Sequence, residues 1–162
     1  MSKDCCFITE TNWFRYRTGG FLIDDGRVLF IKSRFGGYLY MIGGGVHMSE
    51  TSVASIEREF VEETGITVRA ERLAVVCENF FRGDSGTIEN RDCHTIEFYY
   101  ILKAEKSKIE KCRSYADSGE ELVWVPIEDI PDSFIKPSFI QERIEEIINS
   151  DRIIHIIEDR DR

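Results

Sequence analysis

GGVHMSETSVASIEREFVEETGI, residues 44 to 66, joins a glycine-rich turn to a helix with two unlike faces. At about 100° per residue, Glu59, Glu62 and Glu63 fall within a wedge of roughly 100°, and Val53, Ile56 and Phe60 form a separate stripe. One face is therefore suited to a core and the other to cations. Ser49 and Thr51 are the N-cap candidates, and Gly65 fits a left-handed C-cap, so the helix is expected from about Thr51 or Ser52 to Thr64. Directly ahead of it, Gly43, Gly44 and Gly45 let the backbone approach an anionic ligand closely.

Clustered carboxylates repel one another and titrate together, so they call for a counter-charge. Arg58 supplies one cation. Hard ions such as Mg²⁺ take oxygen ligands, keep several waters, and are commonly held between a few carboxylates and substrate phosphates. A glutamate-rich helix face on its own is ordinarily just solvated surface. The spacing removes that reading here: Gly44, five residues, Glu50, seven residues, Arg58-Glu59-Phe60, one residue, Glu62-Glu63, one residue, Gly65-Ile66. At average residue usage such a match arises by chance roughly once in a billion starting points.

In this pattern the chain resembles the Nudix hydrolases, with no defining position substituted. The resemblance implies an α+β fold, the Nudix α/β/α sandwich: a mixed β-sheet between helices, with a loop-helix-loop catalytic motif. It also implies Mg²⁺-dependent hydrolysis of a pyrophosphate bond in a small nucleotide derivative, a nucleoside diphosphate linked to another moiety, with Mn²⁺ as the alternative ion. Carried over position by position, Glu59, Glu62 and Glu63 are the metal ligands, Arg58 orients carboxylates, Glu50 supports the site, and Gly43, Gly44 and Gly45 shape the metal pocket. The general base is a box glutamate or a carboxylate from a later loop, for which Glu120 and Glu121 are the candidates. Two positions depart from common members: Ile42 stands where a proline often precedes the glycines, and His47 stands where glutamate is frequent. Markers of the ADP-ribose and dinucleoside polyphosphate subgroups are missing, since the region downstream reads Phe80-Phe81-Arg82-Gly83-Asp84, and a coenzyme A signature upstream is missing as well.

Outside the box, Arg15 to Ile23 and Arg27 to Ser33 read as strands joined by a hairpin turn at Asp24-Asp25-Gly26. Leu73 to Phe81 and His94 to Ala104 read as longer strands flanking a polar segment, and Leu122 to Val125 as a short one. Ser138 to Ser150 has helical periodicity, with Phe139, Ile140, Ile144, Ile147 and Ile148 inward. The run from Leu122 to Ile130 is similar to the late strand and turn of the same family, so the likeness extends from about Thr18 to Ile148. The tail, Asp151 to Arg162, reads as an added strand, a homodimer contact or a frayed end.

The 162 residues, 42% of them hydrophobic, suit one domain, with its core at about 12–150, that buries about 70% of its unfolded surface. No apolar run approaches the roughly 18 residues of a membrane span, and Met1 to Glu10 lacks a signal-peptide pattern, so the cytoplasm is the expected location. Five cysteines without a Cys-x-x-Cys pair are read as free thiols, and the three histidines have no ligand spacing. A net charge of −9 disfavours nucleic-acid polymers as partners but suits a small anion brought in with metal. Trp13, Phe14, Tyr16, Phe35, Tyr38, Phe80 and Phe81 are positions at which a base can stack, and Arg15, Arg17, Lys32 and Arg34 positions that can meet phosphate.

Two rivals remain at this level. One is a catalytically silent Nudix module that senses a nucleotide or binds a protein, which is expected to lose box glutamates that this chain keeps. The other is isoprenoid diphosphate isomerase chemistry, which needs a histidine cluster and a placed cysteine that the sequence lacks.

Overall fold

Two residues with positive φ, Asp25 at 47° and Gly26 at 70°, turn the chain sharply enough to set β2 (Asn12–Asp24) against β3 (Arg27–Lys32). They pair antiparallel through Ile23 with Val28 and Asp24 with Arg27, as the hairpin signal predicts. The computed structural model describes residues 3–159. Before this hairpin comes β1 (Cys6–Ile8), and after it β4 (Leu39–Met41), β5 (Gly43–Gly45) and α1 (Ser52–Thr64). Next follow β6 (Arg69–Arg82), β7 (Asp92–Lys103), α2 (Lys106–Ile109), β8 (Glu121–Pro126), α3 (Phe139–Asn149) and β9 (Ile154–Asp159).

These strands form one mixed sheet, with the path β4-β3-β2-β7-β6-β9 and with β1, β5 and β8 attached to β2, β2 and β3. The β2–β7 and β6–β9 pairs are parallel and the rest antiparallel. Successive side chains on a strand point to opposite faces, so one sheet serves two cores. Phe21, Tyr99 and Ile101 pack with Phe139, Ile140, Ile144 and Ile147 of α3. Leu22, Tyr100 and Leu102 pack with Ile56 and Phe60 of α1. The fold is the expected α+β layering of helices on both faces of a mixed sheet.

Three expectations need correction. The long strands reach further than their apolar cores, because Arg82 and Asp92 form the last β6–β7 pair and close the turn with an ion pair of 2.7 Å. The glycine stretch is not only a turn: Gly43 to Gly45 hydrogen-bond to Gly19, Thr18 and Arg17 as an edge strand, which glycine's weak strand preference hides. Val53 belongs to the apolar stripe by angle yet stays 40% exposed, so the buried face of α1 begins at Ser55 and Ile56.

The tail resolves as an added strand. Ile154, Ile156 and Glu158 turn inward and alternate with exposed neighbours, and β9 lies parallel to β6; residues 160–162 lie outside the described residues. Glu158 accepts hydrogen bonds from Phe139 N at 2.8 Å and Ser138 Oγ at 3.2 Å, a carboxylate at the positive end of α3. All five cysteines are free thiols, and among the described residues no helix is long and apolar enough to cross a membrane.

Removing the ring that ties α1 to the sheet tests this packing. Phe60→Ala is expected to cost about 3–5 kcal/mol in urea unfolding, as for a fully buried aromatic. Val53→Ala should stay within about 1 kcal/mol.

Candidate active site

The ends of α1 are fixed locally. Thr51, in extended conformation, accepts from Ala54 N at 3.2 Å and is the N-cap; Ser49, the other candidate, sits in a left-handed turn at φ 67°. Gly65 closes the helix at φ 76° with its N–H on Val61 O. Between the glycine strand and the helix, Glu50 folds back so that its Oε2 accepts from His47 N at 3.0 Å.

Arg58 binds the site together. Its Nε and Nη2 meet the two oxygens of Glu50 at 2.8 and 3.0 Å, a bidentate fork. Its Nη1 reaches Glu59 Oε1 at 2.8 Å and Glu62 Oε2 at 3.1 Å, while Nη2 also donates to Gly45 O at 3.2 Å. One guanidinium thus joins three glutamates of the box to its glycine strand. The hydrogen bonds from Arg58 outweigh burial and hold the Glu50 carboxyl at a pKa of about 2; Arg58 itself is shifted upward, first by its bond to Glu50. Across the groove, a Cβ at Gly44 would stand 2.4 Å from Glu59 Cδ and Oε1. Only glycine lets the Glu59 carboxylate lie against that backbone.

Glu62 is 54% exposed, and among the described residues its carboxylate is bound by Arg58 alone. Glu63 turns to the loop after α2, where its Oε2 accepts from Asp117 N at 3.0 Å. Burial, followed by the charges of Glu59 and Asp117, raises the Glu63 pKa above the ordinary carboxyl value, against the hydrogen bond from Asp117 N. The same loop is pinned by Arg113, which donates to Glu62 O at 2.9 Å and whose N–H reaches Thr64 O.

The two loop candidates part ways. Glu120 accepts from the Tyr40 hydroxyl at 2.6 Å, Arg34 N at 3.1 Å and Ser118 Oγ at 3.1 Å. Burial raises its pKa, but these hydrogen bonds prevail and the net shift is downward; burial and Glu120 push the Tyr40 phenol up. Glu121 lies in β8 opposite Lys32 and, among the described residues, bonds to none of the box glutamates. Sequence reading passed over Tyr40, Arg113 and Asp117. The turn-forming Asp117-Ser118-Gly119 was the available signal for that loop, but nothing local tied it to Glu63.

The aromatic side chains at which a base could stack are largely spent on other rings. Trp13 meets Phe81 edge-on, Phe14 and Phe80 both contact His94, and Tyr16 meets Phe98. Phe35 is 88% exposed. His47 stands 3.5 Å from Asp4 and 3.9 Å from Glu50, a support of the glycine strand's flank.

The groups around Gly44 are carboxylate and carbonyl oxygens, the chemistry a hard divalent ion takes, and the Glu59 carboxylate occupies the space that a side chain at Gly44 would fill. Among the described residues no three His, Cys, Asp or Glu side chains converge on one point, because Arg58 and the loop amide hold Glu62 and Glu63 apart.

The NUDIX domain model matches residues 13–144, and the chain belongs to the Nudix family, whose members hydrolyse pyrophosphate bonds and generally use divalent metal ions. The chain is 38% identical over 60 residues to a MutT-like protein of Streptomyces ambofaciens; that match covers 37% of this chain and 39% of the relative. Among solved structures, the mutator MutT protein of Bacillus halodurans superposes with a TM-score of 0.64 at 15% identity, over 87% of this chain and 86% of that one. A NUDIX hydrolase of Nitrosomonas europaea gives 0.63 at 16% identity, over 90% and 79%.

The Arg58 fork sets a pH dependence. The folded pKa of Glu50 lies below its ordinary 4.5, so its stabilising contribution is complete above that value and disappears as pH falls from about 4.5 to about 2. In a carbon-detected NMR titration Glu50 should titrate near pH 2, and in Arg58→Met its midpoint should move up toward the ordinary value.

Proposed function

We propose that this chain hydrolyses a pyrophosphate bond in a small nucleotide derivative, a nucleoside diphosphate linked to another moiety, with Mg²⁺ as cofactor and Mn²⁺ as the substitute. The observation that carries this reading is the Glu59 carboxylate seated against Gly44 and braced by Arg58, with Glu62 and Glu63 on the same helix. Glu59, Glu62 and Glu63 would hold the cation, which would supply charge neutralisation for the phosphates and acidify water.

The chain's own groups do the rest. Arg58 keeps Glu59 aimed at the glycine strand, and Glu50 keeps Arg58 in place. Glu63 takes the proton from the attacking water, since burial, the largest cause, raises its proton affinity above that of an ordinary carboxyl. Glu120 is a poorer base in this arrangement, since three hydrogen bonds to its carboxylate lower its proton affinity. Gly43 to Gly45 let the phosphate chain come close to backbone.

A panel of nucleoside triphosphates, ADP-ribose, sugar nucleotides and dinucleoside polyphosphates incubated with Mg²⁺ tests the reading, with cleavage of at least one member expected. Glu62→Gln and Glu63→Gln should each lower turnover by at least about a hundredfold while circular dichroism stays unchanged. Tight binding of one member without cleavage of any would establish the silent sensor instead.

A further inference from the structure

Five arginines stand around the box, and four of their guanidinium groups are already engaged. Arg15 binds Asp4, Arg34 bonds the Ser118 carbonyl, Arg58 bonds Glu50, Glu59 and Glu62, and Arg113 donates to the Glu62 carbonyl. Arg17 differs. Partly buried on β2, in register with Gly45 on one side and Glu97 on the other, its guanidinium makes no hydrogen bond or ion pair among the described residues.

Its acidic neighbour cannot easily satisfy it. Glu97 is buried and already accepts from Thr95 Oγ1 at 2.6 Å, Asn79 Nδ2 at 3.3 Å and the Tyr99 hydroxyl. Glu59 is turned to Arg58 and Gly44. Burial acts to discharge Arg17, yet Glu97, Tyr99, Glu59 and Tyr40 prevail and keep it protonated. A charged fork with five N–H donors is thus held close to the box with none of its donors spent on protein. Donors left unmatched in a partly buried site are costly unless water or a ligand supplies acceptors.

We propose that Arg17 is the direct protein donor to a phosphate oxygen of the substrate, the one guanidinium at this site reserved for the ligand. This rests on the pyrophosphohydrolase reading and deepens it. Glu59, Glu62 and Glu63 meet the phosphate chain only through a cation, whereas Arg17 binds phosphoanion directly. It therefore selects a ligand with a phosphate oxygen that would remain open to the guanidinium beside those a bound cation would take. The planar fork matches two phosphate oxygens at once, which a lysine does not.

The test uses inorganic pyrophosphate as the probe, titrated calorimetrically into the full chain with EDTA and separately with Mg²⁺. Wild type should bind it in EDTA, Arg17→Met should bind at least tenfold more weakly in both conditions, and Arg17→Lys should fall between them. The melting temperature of each variant reports folding. If Arg17→Met does not fold, Arg17→Lys is the deciding variant: a loss of threefold or more at unchanged melting temperature supports the proposal. Equal affinity in wild type and the folded variants, or no uptake by wild type in EDTA, overturns it. The nucleotide panel separates the two readings. Cleavage with pyrophosphate binding indifferent to Arg17 sinks this inference alone, and Arg17-dependent capture with no cleavage sinks only the enzyme.

Discussion

The site depends on one guanidinium. Arg58 forks onto Glu50, reaches Glu59 and Glu62, and touches the carbonyl of Gly45, so it fixes helix against glycine strand and carboxylate against carboxylate. Without a cation in that place, negative side chains gathered on two helical turns would drive one another toward solvent or toward protonation. With it, Glu59 can lie against the bare backbone at Gly44, where even a methyl group would collide. The charge of the arginine and the missing side chain of the glycine are two halves of one constraint.

The sheet transmits that constraint to the rest of the molecule. Phe60 anchors α1 on the face shared by Leu22 and Leu102, and the adjacent side chains of the same strands, Phe21 and Ile101, belong to the core under α3. Tight contacts run through the strand as well: a Cβ at Gly20 would meet Leu102 Cδ1 at 2.4 Å and Phe60 Cε2 at 2.9 Å. The helix sits low on the sheet because glycine is there, and the glycine strand hydrogen-bonded to Thr18 stays within reach of its carboxylates.

Much of this was legible from residue order. The helix limits, the Gly65 cap, the hairpin at Asp25-Gly26 and the inward face of α3 follow from periodicities and turn preferences that act over a few residues. Other features were not. Strand β5 is all glycine and carries no strand signal, and it exists because β2 lends it partners. Glu120 and Glu121 are neighbours with equal standing in sequence, yet only Glu120 meets Tyr40, since adjacent residues at a strand start face opposite ways. Of the four cations singled out for phosphate, the chain gives no ranking; Arg17 stands apart because its neighbours' hydrogen bonds are already taken.

By itself, then, the order of residues settled the chemistry on offer: which side chains share the helix face, where that helix stops, and that glycines lead into it. Those are short-range matters, governed by a rotation of about 100° per residue and by the φ angles glycine permits. Tertiary structure alone decided the state of each group: Glu50 lowered in proton affinity, Glu63 made more basic and tied to Asp117, Glu120 holding three hydrogen bonds, Arg17 left open. Burial and hydrogen-bond partners set a carboxyl's proton affinity, and both come from segments as distant as residues 17, 63 and 117, which only the folded sheet brings together.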